Sequence, residues 1–188
     1  PGIVVAPVFA AAILFTLNFQ GLLGSLADFW WTMGATMLLL AAAALGSDAA
    51  LRAELRAEFF PPKTQNLLWG AASALVIYFL FWAGRAAALL LIGGAATDIQ
   101  SVYALRGDAS PLRIGALMVL VFGPCEEIFW RGFVQRRLSS HYGTGTGAAL
   151  AILAYAAAHL GSGNPILILA ALVCGGAWSA LYALRRSL

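Results

Sequence analysis

The sequence predicts an all-α protein: a polytopic transmembrane helical bundle of about six transmembrane helices, with one short amphipathic helix at the membrane surface. Composition is the first observation behind this prediction, because 62% of the 188 residues are hydrophobic and only 10% are charged. Soluble domains carry about 25% charged residues. A soluble core of this size could not absorb so much apolar surface and still keep a polar exterior. The second observation is that several segments reach the roughly 20 apolar residues that a helix needs to cross the hydrocarbon.

Six apolar segments predict the membrane-spanning helices. The second begins with Trp30 and Trp31, which suit the membrane interface. The third is long enough that it should be either tilted or broken near Gly84 and Arg85. Pro111 suits the first turn of the fourth, and a G-S-G-N-P turn separates the last two. The predicted segments are 2–23, 29–46, 65–94, 111–138, 143–160 and 165–184.

Residues 47–60 predict the amphipathic helix on the membrane surface. Ser47 can cap its first turn, and the pair Pro61 and Pro62 should end it. Residues 97–110 are polar and predict a connector between the third and fourth spans. The apolar residues of the surface helix recur every four positions, opposite the charges, and they are Leu51, Leu55 and Phe59.

Basic residues predict the orientation of the bundle. If the N-terminus, the second and fourth connectors and the C-terminus share one side, that side holds seven basic residues, against Arg106 and Arg113 opposite. The positive-inside rule then predicts a cytoplasmic N-terminus, and the Ala and Gly content suits a bacterial inner membrane. Because the net charge of +3 is mostly juxtamembrane, we expect no nucleic-acid partner. The seven residues are Arg52, Arg56, Lys63, Arg136, Arg137, Arg185 and Arg186.

The chain is expected to form one integral-membrane domain over residues 1–188, without internal repeats. Its N-terminal helices, up to residue 110, are less diagnostic than the core that follows from residue 111. The start at Pro1, with no initiator Met and no basic segment, resembles neither a secretory signal nor the beginning of a complete reading frame. Cys125 and Cys174 lie in apolar runs, which argues against a disulfide framework.

Three ionisable residues lie together in the fourth predicted span, in the stretch G-P-C-E-E-I-F-W-R. Ionisable groups at membrane depth are costly, so their first interpretation is functional. Glu127 and Arg131 are four residues apart and can pair on one helix face, and such a pair could also serve only to fix helix register. Glu126 points about 100° away and has no such partner in sequence, so it is available as a general base. Pro124 should kink the helix and could admit water there.

The next predicted span ends at His159, with Tyr155 one turn earlier on the same face. Taken alone, one membrane histidine could be a hydrogen-bonded packing residue. Here it lies on a helix joined by a short loop to the helix that carries the spare glutamate. A Glu and a His are the smallest set that can hold and deprotonate a water, so Glu126 and His159 are the predicted catalytic pair.

The stretches E-E-I-F-W-R-G-F-V-Q-R-R-L and Y-A-A-A-H-L-G-S-G-N-P resemble the CAAX protease and bacteriocin-processing family of intramembrane glutamate-type endopeptidases. That family has E-E-x-x-x-R on one helix and F-x-x-x-H on the next. Glu126, Glu127 and Arg131 match the first motif. Tyr155 and His159 match the second, with Tyr in place of the usual Phe.

The resemblance covers roughly residues 111–188, through the pair Gly175 and Gly176. It implies an intramembrane endopeptidase that hydrolyses a peptide bond of a membrane-associated protein or peptide. In this role Glu126 is the general base for a water that His159 also holds, and the water attacks the peptide carbonyl. The residues that the resemblance places in support of this pair are Glu127, Arg131 and Tyr155.

A third family motif, H-x-x-x-N or H-x-x-x-D, is absent from this sequence, because no histidine follows His159. In the family this motif stabilises the oxyanion. Either the sequence stops before the helix that carries it, or another group is the donor. Asn164, in the turn after His159, is the candidate substitute for an oxyanion or polar contact.

Three other readings stay open at this point. A zinc-dependent intramembrane protease would need about three ligands, assembled from Glu126, His159 and either Cys125 or Glu127. Cys125 could be a nucleophile with His159, although a neighbouring carboxylate disfavours the thiolate. A non-catalytic membrane scaffold or bacteriocin-immunity-type protein of the same fold would only bind partner helices.

We expect the membrane as the surrounding partner and a protein or peptide substrate that enters the bundle. Family substrates range from prenylated CAAX proteins to bacterial peptides, and the Ala- and Gly-rich composition favours the bacterial ones. No cofactor is expected apart from the zinc of the alternative reading. The sequence does not indicate an oligomeric state.

Overall fold

A computed structural model describes residues 2–59 and 64–185, and this part of the chain contains eight helices and no strand. The predicted all-α fold is therefore confirmed. A 3-10 turn, Leu160–Ser162, joins the last two helices. In chain order the helices are α1 (Gly2–Phe19), α2 (Phe29–Ser47), α3 (Ala49–Phe59), α4 (Thr64–Leu91), α5 (Ala95–Ala104), α6 (residues 111–142), α7 (Thr144–Ala158) and α8 (Pro165–Arg185).

All six predicted membrane segments are helical, as α1, α2, α4, α6, α7 and α8. Three of these helices, α2, α4 and α8, are long and apolar enough to cross a membrane, and α1 is a shorter apolar helix. Large apolar side chains such as Phe9, Leu38, Trp82 and Leu90 are exposed on the outer surface, where lipid would cover them. A helical membrane bundle follows from these features together.

The structure adds detail to two local predictions. The stretch predicted as a polar connector contains the helix α5, whose first residue Ala95 is buried while most of its polar residues are exposed. The alternative of a break near Gly84 and Arg85 is not realised, because α4 runs unbroken from Thr64 to Leu91. A glycine without packing partners costs a helix only about 1 kcal/mol, so the apolar run continues through it.

Helix α6 changes its winding where the ionisable residues lie. It is α-helical at both ends, but two π-helical stretches, Met118–Phe122 and Glu127–Gln135, flank the single α-turn Gly123–Glu126. Pro124 has no N–H to donate and its ring crowds the preceding turn. The Gly123 N–H reaches back five residues to the carbonyl of Met118. The predicted disturbance at Pro124 is thus a widening of the helix, a feature frequent at functional sites.

The core lies where α1, α2, α6 and α7 meet, and six of its twenty buried residues are aromatic. Its fully buried side chains come mostly from α6. Trp130 packs edge-to-face against Phe15, Phe129 and Tyr155, with ring centroids 4.9 to 6.5 Å apart. Edge-to-face pairs add about 0.5–1.5 kcal/mol each beyond the burial of area. This cluster fixes α1 and α7 against the helix that carries the glutamates.

An ionic cluster joins the surface helix α3 to the C-terminal end of α6. The cap of α3 is Asp48, not Ser47 as predicted: Asp48 Oδ1 accepts a hydrogen bond from the Leu51 amide at 2.9 Å. Asp48 Oδ2 accepts from Arg136 and, at 3.0 Å, from Arg137. Both Ser and Asp are good caps, so the two arginines decide between them. Leu51 is fully buried beneath this cluster.

The bundle has two distinct polar ends, as the orientation analysis required. The basic end carries Asp48, α3 and the C-terminal parts of α6 and α8. At the opposite end Arg113 pairs with Asp28 at 2.7 Å, and Trp30 Nε1 donates to the Leu105 carbonyl at 3.0 Å. The side of the membrane that each end faces stays a prediction. The predicted stop at Pro61 and Pro62, and the basic residues Lys63 and Arg186, lie outside the described residues.

Asp48 makes this basic end sensitive to acid. Burial raises the pKa of Asp48, but the hydrogen bonds from the Leu51 amide and from Arg136 and Arg137 outweigh it and hold the pKa below its ordinary value of 3.8. Because its pKa is lower in the folded state, the Asp48 carboxylate stabilises the fold at pH values above its unfolded-state pKa. This stabilisation is lost as the pH falls through the folded-state pKa.

We therefore expect Asp48→Asn to lower the stability at pH 7 by about 1–3 kcal/mol, because Asn keeps the helix cap but not the charge-assisted bonds. The difference from the wild type should shrink below about pH 4. Thermal unfolding of the purified chain at both pH values measures this. Asp108→Asn, at an exposed position on the opposite end, is the control and should leave the melting temperature unchanged at both pH values. Equal melting temperatures of wild type and Asp48→Asn at pH 7 would contradict the role of the cluster.

Candidate functional site

The two adjacent glutamates of α6 have different partners, as helix geometry predicted. Glu127 pairs with Arg131 one turn later, with Oε1 and NH1 3.1 Å apart. The guanidinium of Arg131 is buried, and its NH2 donates a long, 3.5 Å bond to the Gly175 carbonyl of α8. Glu127 is thus committed to the charge of Arg131, and the pair also ties α6 to α8.

Glu126 has a different partner, the hydroxyl of Tyr155 on α7. Tyr155 Oη donates to Glu126 Oε2 at a distance of 2.9 Å. The sequence around Glu126 contains no cation at pairing distance, which made the carboxylate a spare group in the prediction. The hydroxyl of Tyr155 lies 29 residues away in the sequence and is brought to Glu126 by packing. One carboxylate oxygen of Glu126 is held by Tyr155, and Oε1 is left to accept a further hydrogen bond.

Tyr155 also positions His159 through its backbone. His159 Nδ1 lies 2.9 Å from the Tyr155 carbonyl, and the two rings meet edge-to-face with centroids 4.8 Å apart. This carbonyl is accessible because the His159 amide bonds to the Ala156 carbonyl in the last turn. A carbonyl only accepts, so Nδ1 carries the proton in the neutral imidazole, and Nε2 keeps a lone pair.

Helix α1 supplies a wall of the site that sequence analysis did not assign. Phe15 and Phe19 lie against His159, with ring centroids 5.2 and 5.8 Å away. The four-residue spacing of these two phenylalanines was the only sequence pattern that could have indicated their contact with His159. The same spacing is found wherever a helix packs one face against a core, so it did not identify them. Together they leave the imidazole largely enclosed.

Close approach of α1 to the turn after His159 depends on Gly161. A Cβ at this position would lie 2.6 Å from the Cα of Thr16, which is far inside van der Waals contact. Gln20 Nε2 donates to the Gly161 carbonyl at 2.6 Å and closes the same contact. The position of His159 is therefore set jointly by α7 and by the N-terminal helix.

Gly175 has a similar function on the other side of Tyr155. A Cβ there would lie 2.9 Å from Tyr155 Cδ1, so only glycine lets the ring pass α8. The Tyr155 ring also contacts Arg131. The guanidinium carbon lies 5.1 Å from the ring centroid, which is a cation–π distance. Gly175 and Arg131 therefore fix the orientation of the Tyr155 ring, and this orientation brings its hydroxyl to Glu126.

Two buried nitrogens next to the ion pair in sequence have neither a hydrogen-bond partner nor an ion-pair partner among the described residues. They are the indole Nε1 of Trp130 and the Nε of Arg131. Both residues are almost completely buried. Buried N–H groups are nearly always paired, so these two are open to an oxygen that a water or a substrate would bring.

Asn164 does not fit the role of oxyanion donor that was expected for it. Its Nδ2 donates to the Asp98 carbonyl and to Ser101 Oγ, both at 2.8 Å. Its Oδ1 accepts from the Leu167 amide at 2.9 Å and so caps α8. With both N–H groups used, Asn164 fastens α5 to the start of α8.

A zinc site also lacks support in the geometry. Within residues 2–59 and 64–185, no three His, Cys, Asp or Glu side chains are gathered as metal ligands would be. The ligand set considered for zinc, Glu126 and His159 with Cys125 or Glu127, is therefore not assembled there. Cys125 is a free, buried thiol packed in the apolar core.

Comparison with known proteins gives one match, and it falls on the part of the chain that carries these residues. The family model described as type II CAAX prenyl endopeptidase Rce1-like matches residues 108–188. Neither the curated proteins nor the solved structures contain a match. The match begins three residues before α6 and includes both motif helices. It supports an intramembrane endopeptidase function in general, and residues 108–188 of this chain are similar to the Rce1-like family.

Proposed function

We propose that this protein is a glutamate-type intramembrane endopeptidase that hydrolyses a peptide bond of a membrane-associated protein or peptide. Glu126 would activate the attacking water together with His159. The observation that carries the proposal is the connection through Tyr155, whose hydroxyl holds Glu126 and whose carbonyl holds His159. One residue thereby sets the relative placement of both groups.

The proposed chemistry uses the two atoms that this arrangement leaves open. A water would donate one hydrogen bond to Glu126 Oε1 and the other to His159 Nε2. As the water oxygen attacks the peptide carbonyl carbon, its proton passes to Glu126. The same carboxylic acid then protonates the departing amine, and the C–N bond breaks. Glu126 ends as the carboxylate that began the cycle.

Stabilisation of the oxyanion needs donors that are already in place. With Asn164 engaged elsewhere, the unpartnered N–H groups of Trp130 and Arg131 are the best candidates among the described residues. Glu127 would then serve the site by neutralising Arg131, not by chemistry of its own. Tyr155 would support the pair by holding both members.

The expected substrates are bacterial peptides or membrane proteins, which would reach the site within the bundle. The N-terminus is proposed to face the cytoplasm of a bacterial inner membrane, on the strength of the basic end. The partner of the reaction is thus a polypeptide in or on the membrane.

Glu126→Gln should reduce the cleavage rate by about 10²–10⁴-fold, the usual contribution of a general base. Gln can still accept from Tyr155, so the fold should persist. Reconstituted wild type and variant would be incubated with a bacterial membrane extract, and new peptide termini counted by mass spectrometry. A chelator is added to one series, because loss of cleavage there would favour the zinc reading.

Glu127→Gln is the matched control for this test. It leaves the Arg131 charge buried without its partner and should lower the melting temperature, since breaking a buried pair costs about 3–5 kcal/mol. Glu126→Gln should not. If neither wild type nor variant cleaves anything while partner helices are still bound, the scaffold reading replaces the protease. Unchanged cleavage by Glu126→Gln would remove Glu126 from the mechanism.

His159→Gln should slow cleavage on the order of 10²-fold, because the amide oxygen of Gln is a weaker base than the imidazole Nε2 that would hold the water. The chain offers a direct control in its other histidine, His141, which is exposed near the end of α6. His141→Gln should cleave at the wild-type rate. Equal rates for both variants, measured on the same products, would show that His159 only packs against Phe15 and Phe19.

A further inference from the structure

An apolar groove runs along the bundle and is lined by none of the residues proposed for the reaction. Its walls are α1 and α2, and its floor is formed by Phe129 and Phe133 of α6. The walls are set back because they carry small residues, including Ala10 and Ala43. The groove is open to the surrounding lipid along its length, since Ala10 and Ala43 are both exposed.

The length of the groove matches one leaflet of a bilayer. Along α1 it extends from Ala6 to Leu14, which at 1.5 Å per residue is about 12 Å. Along α2 it ends at Ser47, the last residue before the basic end. The hydrocarbon core is about 30 Å thick, so one leaflet supplies about 15 Å of it. The groove therefore covers the depth of an acyl chain that enters from the basic end.

Three arginines lie next to the groove where it reaches the basic end. The Arg137 guanidinium lies over the ring of Phe133, 4.3 Å from its centroid. Arg52 donates to the Gly46 carbonyl at 3.3 Å, one residue before Ser47. Arg136 and Arg137 pair with Asp48, and Arg136 also lies 3.8 Å from Glu54. Among these five residues the positive charge of Arg52, which contacts backbone carbonyls, is left over. A phosphate group would balance it.

From this combination we propose that the groove binds one acyl chain of an anionic phospholipid from the leaflet at the basic end. The lipid phosphate lies among Arg52, Arg136 and Arg137. The apolar floor and walls exclude a polar occupant, and van der Waals contact of the acyl chain with Phe129 and Phe133 holds it in place. The leftover positive charge selects an anionic headgroup over a zwitterionic one. This site is independent of the proposed peptide hydrolysis.

Bound lipid would stabilise the helix that carries the glutamates. Phe129 lies three residues after Glu126, in the same π-helical stretch as Phe133. A ligand that binds only the folded chain raises its stability by mass action. The protein should therefore melt at a higher temperature with phosphatidylglycerol than with phosphatidylcholine.

The experiment fills the groove and measures lipid retention. The purified full chain is mixed with detergent micelles containing either phosphatidylglycerol or phosphatidylcholine, and bound lipid is counted by native mass spectrometry. Ala43→Phe places a ring in the groove and should lower phosphatidylglycerol affinity by at least about tenfold. Ala42→Phe, also exposed on α2 but not lining the groove, is the matched control and should retain the lipid.

A charge variant tests the headgroup separately. Arg52→Gln should reduce the preference for phosphatidylglycerol over phosphatidylcholine by about fivefold, from the contribution of one arginine near an anionic surface. Arg113→Gln removes an arginine at the opposite end and should leave the preference unchanged.

Three results would overturn the proposal. Equal retention by Ala43→Phe and Ala42→Phe would exclude the groove as the lipid site. Equal retention of the two lipids by the wild type would exclude headgroup selection. A dimer that retains no lipid and that Ala43→Phe abolishes would assign the groove to a second copy of the chain.

Discussion

A guanidinium buried at membrane depth has to be neutralised and hydrogen-bonded by the protein itself. The contacts that do this for Arg131 determine the arrangement of the site. Glu127 supplies the counter-charge, Gly175 supplies a carbonyl, and the ring of Tyr155 lies at cation–π distance. Isolated charges in a hydrocarbon cost several kcal/mol, so these three contacts are constrained together. Tyr155 then passes that constraint on to Glu126 and His159.

The π-helical winding of α6 is the second constraint, and it follows from covalent chemistry. Pro124 cannot donate a backbone hydrogen bond, and the helix widens on both sides of it. Irregular backbone at membrane depth is tolerated where protein surrounds it, and here the core encloses the second stretch, which is buried from Phe129 to Gln135. Adjacent glutamates on such a helix are presented to different neighbours, one to Arg131 and the other to Tyr155.

Sequence patterns predicted the parts of this structure that are local. Composition and apolar length indicated the membrane bundle, and the four-residue spacing of Glu127 and Arg131 predicted their pair. Contacts between distant residues were not accessible. Ser47 and Asp48 are equally good caps, and only arginines 88 and 89 residues away favour Asp48. The hydroxyl of Tyr155 and the ring of Phe15 reach the site only through tertiary packing. Asn164 was assigned from the preference of Asn for turns, which does not indicate its hydrogen bonds to α5.

The contact at Gly161 connects the N-terminal helix to the part of the chain that matches the family model. The family match starts at residue 108, yet the imidazole of His159 is enclosed by two phenylalanines from the first twenty residues, and Thr16 touches the backbone that follows it. The segment with the recognisable motifs is therefore not self-sufficient. Substitutions in α1 and in the turn at Gly161 must be compatible with each other, so these two regions are expected to diverge together, and a chimera that joins residues 108–188 to an unrelated N-terminal half would leave His159 unsupported.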